Sequence, residues 1–315
     1  MKKKFLFIIN PTAGNGRSAR SIPKIKGAID NLHAKSPEIK GEVITTQYKN
    51  HATELVRAYQ NNYERIIVVG GDGTLNEAIN GLDPASETIM GVIPEGSGND
   101  FAKMIGMKQD IDTNIDIIIN HEQIKTIDVG EIEFIENGST SRPQTRKFIN
   151  SAGIGFDALV SDLKNRSRNF QGFSQYIWSI FQALKKYSFL DINAAFDKVT
   201  NEVKKSLLIA ISNGKTYGGG IKVNPNAEID DGLLDACIVY PITIPKILWH
   251  LRKFIKGTHG SLDIIKLIRF KEAEIKTEQQ AFIHVDGEVI SDKATNIKFI
   301  VDPKSQKFLV NESSL

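Results

Sequence analysis

Three glycine-rich turns and four acidic residues in this chain have the types and spacing needed for chemistry on phosphate. The turns are Asn10-Pro11-Thr12-Ala13-Gly14-Asn15-Gly16-Arg17-Ser18, Gly70-Gly71-Asp72-Gly73-Thr74-Leu75-Asn76-Glu77 and Pro94-Glu95-Gly96-Ser97-Gly98-Asn99-Asp100. Asp72 and Asp100 lie in the second and third of them, and Asp286 and Glu288 lie in Val285-Asp286-Gly287-Glu288. Glycine lets the backbone approach a phosphate closely, and a helix that follows offers unpaired N–H groups and the positive end of its dipole. Phosphoryl transfer needs Mg²⁺ against the phosphate oxygens, and Mg²⁺ prefers a few carboxylates plus water to a full protein cage. A hydroxyl acceptor also needs a base within hydrogen-bond reach, a role open to Glu. Taken singly, each acid reads as well as a turn residue or a helix cap, Asp231 in Asp230-Asp231-Gly232 most of all.

Other chemistries are excluded or weakened by the same reading. No G-x-x-x-x-G-K-[ST] motif is present, which removes a P-loop NTPase. Gly14 to Ala19 fits the dinucleotide pattern G-x-G-x-x-[GA]. However, the next strand ends in Thr45-Thr46-Gln47, with Glu42 at its start and no acid placed to hold a ribose, so a dehydrogenase fits poorly. The six histidines form no triad or metal spacing; His51 precedes a helix, and His284, on a strand, reads as structural. Cys237 is the only cysteine, which forbids an intramolecular disulfide and suits a reducing compartment.

The elements that must carry these turns alternate in the first third of the chain. Strands are expected at Phe5–Ile9, Glu42–Thr46, Arg65–Val69 and Ile89–Ile93, and helices at Ser18–Leu32, Ala52–Tyr59 and Thr74–Leu82. Such alternation implies right-handed crossovers and a parallel, Rossmann-like sheet with the turns at its carboxyl edge. From about Thr126 short β-rich segments take over: Thr126–Phe134, Lys147–Asn150, Leu207–Ser212, Leu234–Val239, Glu274–Thr277, Ala281–Val285 and Ile297–Val301. They predict a mainly antiparallel second domain, interrupted by a helix over about Gln175–Tyr187 whose part Gln175–Leu184 is apolar nearly all round and reads as buried or lining an acyl-chain pocket. The fold class is therefore α/β, with domains at 1–128, joined by a C-terminal segment of about 303–315, and at 129–302.

Together the motifs resemble the diacylglycerol-kinase catalytic superfamily, and within it the bacterial diacylglycerol-kinase-like lipid kinases. Gly70-Gly71-Asp72-Gly73-Thr74 alone is shared with NAD kinases. Asn10 to Gly14, Gly70 to Glu77 and Gly96 to Ala102 in that order are more specific. Asn150 to Asp157, Ser212 to Gly214, Gly218 to Gly220, Asp230 to Asp235 and Val285 to Glu288 continue the pattern through the second half. The resemblance implies a Rossmann-like nucleotide-binding domain followed by a β-sandwich-like domain. It implies ATP contacts at Asn10, Pro11, Thr12, Ala13, Gly14, Thr46, Gly70, Gly71, Asp72, Gly73, Thr74, Leu75, Asn76 and Ser97. Glu288 would be the catalytic base, and Asp72, Asp100, Asp128 and Asp286 would hold the catalytic Mg²⁺ and its waters. Glu228, Asp231 and Leu233 match a second, structural Mg²⁺ site, with Glu228 and Leu233 contributing main-chain carbonyls. The implied reaction moves the γ-phosphoryl group of ATP to a lipid hydroxyl, with diacylglycerol as the favoured acceptor. Phosphatidylglycerol or sphingoid acceptors, an NAD-kinase-like enzyme and a non-catalytic nucleotide-binding regulator are the alternatives.

Composition sets the outer bounds. The 315 residues are 41% hydrophobic and 24% charged with a net charge of +3, ordinary globular usage and too balanced for a surface built for nucleic acid. No apolar run is long enough to span a membrane. The basic start Met1 to Lys4 precedes only five apolar residues before Asn10-Pro11, too few for a secretory signal, so a buried strand and a cytoplasmic protein are expected. Lys246 to Lys271 holds seven Lys or Arg and one acid, with Trp249 and Phe254 in the helical part, and would suit transient contact with an anionic membrane. The lipid at that surface is the expected partner; no obligate protein partner is expected, and a homodimer stays open.

Overall fold

Phe5–Ile9 and Ile66–Val69 are continuous apolar runs, and in the computed structural model both are fully buried, as strands covered on two faces must be. The structure describes residues 4–120, 123–136, 142–166, 172–185, 187 and 189–311. The chain divides into two compact units, residues 1–127 with 304–315 and residues 128–303.

Unit 1 runs β1 (Lys4–Ile9), α1 (Ala13–Lys35), β2 (Lys40–Thr45), α2 (His51–Tyr59), β3 (Arg65–Gly70), α3 (Asp72–Ile79), β4 (Ile89–Pro94), α4 (Asp100–Met104) and α5 (Ile111–Asn120). Its strands lie in the order β2-β1-β3-β4, all parallel. The end of the chain's last strand adds beside β4, with Phe308 opposite Met90. Parallel neighbours bring the carboxyl ends of β1, β3 and β4 to one edge, which is where the three glycine turns leave the sheet. The helix expected from Ser18 begins earlier, but Gly14, Asn15 and Gly16 have φ of 57°, 55° and 81°, so regular helix starts at Arg17.

Unit 2 takes up β5 (Ile124–Glu136) and continues through β6 (Gln144–Phe148), β7 (Ser151–Gly155), α6 (Phe156–Arg166), α7 (Gly172–Leu184), β8 (Leu190–Phe196), β9 (Val199–Ser206), β10 (Leu208–Ser212), β11 (Leu234–Val239), α8 (Ile244–Lys256), β12 (Ile265–Phe270), β13 (Glu272–Val285) and β14 (Glu288–Leu309). Its pairings are antiparallel: β12-β11-β10-β7-β13, with β13 also beside β14 and β8, β8 beside β9, and β5 beside β6. Period-two alternation divides the side chains between two cores. Ile209, Ile211, Ala236 and Ile238 face one cluster with Phe148, Phe270 and Phe299. Ala210, Cys237 and Val239 face the other with Phe156, Val160 and Ile180 from the helices.

Several expectations change here. Glu274–Thr277 and Ala281–Val285 are one strand, β13, with register shifts after Lys276, and Ile297–Val301 is part of the long β14. The Asp, Asn and Ala residues of β8 gave little strand signal, yet its neighbours make it a strand. The helix α7 is two-faced rather than wholly buried: Trp178 and Phe181 are 47% and 40% exposed, while Ala183 is buried and Ile180 lines an apolar cavity. The basic stretch Lys246–Lys271 is likewise broken, with α8 stopping at Gly257 (φ 72°) and the later cations belonging to β12 and its end.

Candidate active site

In unit 1 the three glycine turns are bound to one another. Asn10 donates its main-chain N–H to Val69 (3.0 Å), and Glu95 and Gly96 donate theirs to Gly70 (2.8 and 3.1 Å). The side chain of Asn10 donates to Thr74 Oγ1 (3.0 Å) and accepts from the N–H and hydroxyl of Thr12 (3.1 and 2.8 Å). Gly71 and Gly96 touch backbone to backbone: a Cβ on Gly96 would stand 2.3 Å from the Gly71 Cα. At Gly14, left-handed and 2.1 Å from the Glu95 carbonyl oxygen by the same measure, no side chain fits. The second and third turns thus need glycine for close packing, and the first needs it for its conformation.

Asp72 ties the second turn to the third. Its Oδ2 and Oδ1 accept the N–H groups of Asp100 and Phe101, both at 3.2 Å, capping α4 from another element. Asp100 is buried and pairs with Lys103 at 3.8 Å. Sequence reasoning missed the clamp beneath: Glu95, 5% exposed, receives Arg17 Nε (2.5 Å) and Ser21 Oγ (2.6 Å), while Arg17 Nη2 reaches the Gly96 carbonyl (2.7 Å). Arg17 and Glu95 are too far apart in the chain for any local pattern to pair them.

The residues expected at the nucleotide are distributed as follows. Thr12, Gly73 and Ser97 are exposed, and Asn10, Pro11, Ala13, Gly14, Gly71 and Asp72 are partly so. Thr46, Gly70, Thr74, Leu75 and Asn76 are buried, Thr46 donating its N–H to Ile9 (2.8 Å), so these support the turn from below. His51 stacks on Tyr48 and accepts the Gln47 N–H (3.1 Å).

In unit 2, Asp286 and Gly287 both have positive φ (46° and 84°), the backbone of a tight hairpin turn between β13 and β14 and the reason for an Asp-Gly pair. The Asp286 carboxylate accepts three main-chain N–H groups, from Ile149 (3.1 Å), Asn150 (3.0 Å) and Ser151 (2.8 Å). Two of these bonds go to Oδ1 and one to Oδ2, so the carboxylate is held by both oxygens. Glu288 opens β14 with its carboxyl group 26% exposed and Arg146 at 3.5 Å. Asp128 is fully buried and accepts the Gly232 N–H at 2.7 Å, pinning the Glu228–Leu233 loop.

Within that loop Asp231 is already engaged. Its Oδ1 accepts the Leu233 N–H (3.0 Å), and its Oδ2 pairs with Arg269 Nη2 (2.5 Å). Arg269 also reaches Asp235 (3.5 Å). Burial pushes Asp235 up to about 6, with Arg269 opposing and Asp231 and Glu228 adding repulsion. A carboxylate with two main-chain carbonyls is a donor set that Mg²⁺ accepts, but a guanidinium at the same oxygen opposes a dication, so the two must compete. Asp72 and Asp100 belong to unit 1, Asp128 and Asp286 to unit 2. Among the described residues no three His, Cys, Asp or Glu side chains are arranged as a metal cage.

Comparison with known proteins fits both units. Residues 4–132 match the diacylglycerol kinase catalytic domain, and residues 150–309 match the YegS C-terminal NAD kinase beta sandwich-like domain. The diacylglycerol kinase of Staphylococcus carnosus is 28% identical over 91% of this chain and 89% of its own length. That of Mycobacterium tuberculosis is 28% identical over 87% of this chain and 85% of its own. A solved Bacillus anthracis diacylglycerol kinase shares the fold with a TM-score of 0.72 at 23% identity, covering 100% of this chain and 98% of its own. Yeast NADH kinase shares the fold more loosely, with a TM-score of 0.57 at 13% identity over 98% of this chain and 83% of its own. A catalytic domain and its companion domain matched in order, with relatives aligned over most of both lengths, make this chain a lipid kinase of the bacterial diacylglycerol-kinase-like family.

Proposed function

We propose that the protein transfers the γ-phosphoryl group of ATP to the free hydroxyl of diacylglycerol, forming phosphatidic acid, with Mg²⁺ as the metal. The observation that carries the nucleotide part is the mutual bracing of the three glycine turns at one sheet edge, with Gly73 and Ser97 exposed. Asp72, Asp100, Asp128 and Asp286 are the carboxylates that the family resemblance assigns to the metal and its waters. Asp72 is partly exposed, and both of its oxygens face the start of α4. Mg²⁺ held by these residues would supply neutralisation of the charge that develops on the phosphate oxygens. Glu288 accepts the acceptor's hydroxyl proton, the acceptor oxygen bonds to the γ-phosphorus, and the bond to the β-phosphate oxygen breaks to release ADP.

The acceptor reading is supported by an apolar cavity in unit 2, lined among others by Phe156, Val160, Leu207, Ile247, Leu251 and Phe254. Its volume is about 90 Å³, room for the end of an acyl chain rather than a whole lipid. Helix α8 forms part of that wall. On its outer side Lys246, Trp249, Arg252 and Lys256 are exposed at helical spacing, Trp249 by 79%, and the helix holds no acid. A cationic stripe centred on an exposed Trp suits an anionic lipid surface. Incubation with γ-labelled ATP, a panel of lipids in mixed micelles and NAD tests the reading. Label in phosphatidic acid, lost on Mg²⁺ chelation, supports it; label confined to another lipid or to NADP replaces the acceptor.

A further inference from the structure

The last turn of β13 carries a buried histidine whose two ring nitrogens are both engaged. His284 Nε2 lies 3.2 Å from Asp157 Oδ2, and Gly287 donates its main-chain N–H to His284 Nδ1 at 3.4 Å. An accepting Nδ1 places the ring proton on Nε2, where it is donated to the carboxylate. Asp157 is held in turn by the Tyr217 hydroxyl at Oδ2 (3.3 Å) and by the Ala158 N–H at Oδ1 (2.9 Å). His284 and Asp157 are 1% and 3% exposed. A buried carboxylate facing a buried imidazole is costly unless both are hydrogen-bonded, and here both are. Gly153, opposite His284 in the β7–β13 register, makes the space: a Cβ there would stand 1.9 Å from Asp157 Oδ2 and 2.6 Å from His284 Nε2.

We propose that His284 is a positioning residue for Glu288. Two consecutive left-handed residues make the Asp286–Gly287 turn, and a glycine in it is free to pivot. Asp286 anchors the first half through its three N–H bonds, and His284 anchors the second half through Gly287. Glu288 follows at once, paired with Val285 across the hairpin, so a pivot of the turn displaces its carboxylate. Asp157 keeps the imidazole in the tautomer that can accept from Gly287. Asp157 also lines the apolar cavity, so the relay runs from the wall where an acyl chain would lie to the turn that carries the base. The inference rests on the proposed role of Glu288.

Two substitutions separate the halves of the relay. His284→Asn puts a carbonyl oxygen where Nδ1 stands and keeps an acceptor for Gly287, whereas His284→Gln reaches Asp157 and loses that acceptor. For the purified full chain, His284→Gln should lower kcat about 10- to 100-fold with KM for ATP within a few fold, and His284→Asn should recover most of the loss. Amide hydrogen exchange of the peptide spanning 284–288 should be faster in His284→Gln than in His284→Asn or the wild type. Equal kcat in the two variants, or loss of kcat that only follows their melting temperatures, overturns the positioning role. Glu288→Gln is the companion control. Wild-type turnover in that variant removes the base assignment itself, a different failure from an inactive Glu288→Gln accompanied by a fully active His284→Gln.

Discussion

Asp72 shows how one side chain serves structure and chemistry together. Both of its oxygens cap α4, and the same carboxylate is assigned to the metal. Asp72→Asn keeps one accepting oxygen, so the fold should survive with a loss of about 1 kcal/mol. Phosphoryl transfer should fall by a factor of about 100 or more, because an amide neither neutralises nor ligates Mg²⁺ as a carboxylate does. Thermal melting paired with steady-state rates checks this; a variant with wild-type rates removes Asp72 from the metal. His259 gives a residue-scale prediction for pH. Burial holds its imidazole below the ordinary value, with Nε2 2.8 Å from the Val223 carbonyl and its ring stacked 4.0 Å from Phe254. The folded protein therefore refuses a proton that the unfolded chain accepts below the ordinary imidazole value of 6.5. The stability this neutral ring contributes is present above pH 6.5 and lost as the pH falls below it. Urea unfolding at pH 7.5 and pH 5.5 should show a larger drop for the wild type than for His259→Gln; equal drops contradict the assignment.

At the scale of elements, much of the layout is legible in the chain. The apolar runs ending in Asn10-Pro11, Gly70-Gly71 and Pro94-Glu95 placed β1, β3 and β4 within a residue, because a strand buried on both faces must be continuously apolar. Glycine spacing likewise located the turns. What stayed hidden depends on long-range pairing: the Arg17–Glu95–Ser21 clamp, the Asp157–His284 pair, and β8 and β9, whose polar sequence is overruled by their neighbours. Arg269 is the instructive case. Counted as one more cation in a basic stretch, it is tied at the surface to Asp231 and Asp235. Competition between Arg269 and an ion at this loop predicts that Arg269→Gln melts with a steeper dependence on Mg²⁺ than the wild type. The same Mg²⁺ dependence in both would end that competition.

For the whole molecule, the chain joins a unit matching the diacylglycerol kinase catalytic domain to a β-rich unit, and the proposed function gives phosphate to the first and the apolar ligand and base to the second. No helix among the described residues is long and apolar enough to cross a membrane. Helix α8 is the element we propose to meet a lipid surface. Trp249→Ala combined with Lys256→Glu should weaken sedimentation with anionic vesicles about tenfold and lower activity on vesicle substrate, while ATP binding stays unchanged. Unaltered sedimentation would move the membrane contact elsewhere.

The most direct test of the central claim follows label from γ-labelled ATP into diacylglycerol in mixed micelles, for the wild type and Glu288→Gln side by side, with ATP binding measured on both. Labelled phosphatidic acid from the wild type should fall by a factor of about 100 to 10,000 in the variant, with ATP affinity held within a few fold. Equal transfer by the two proteins, or ATP binding by both with no label in any lipid, would contradict it.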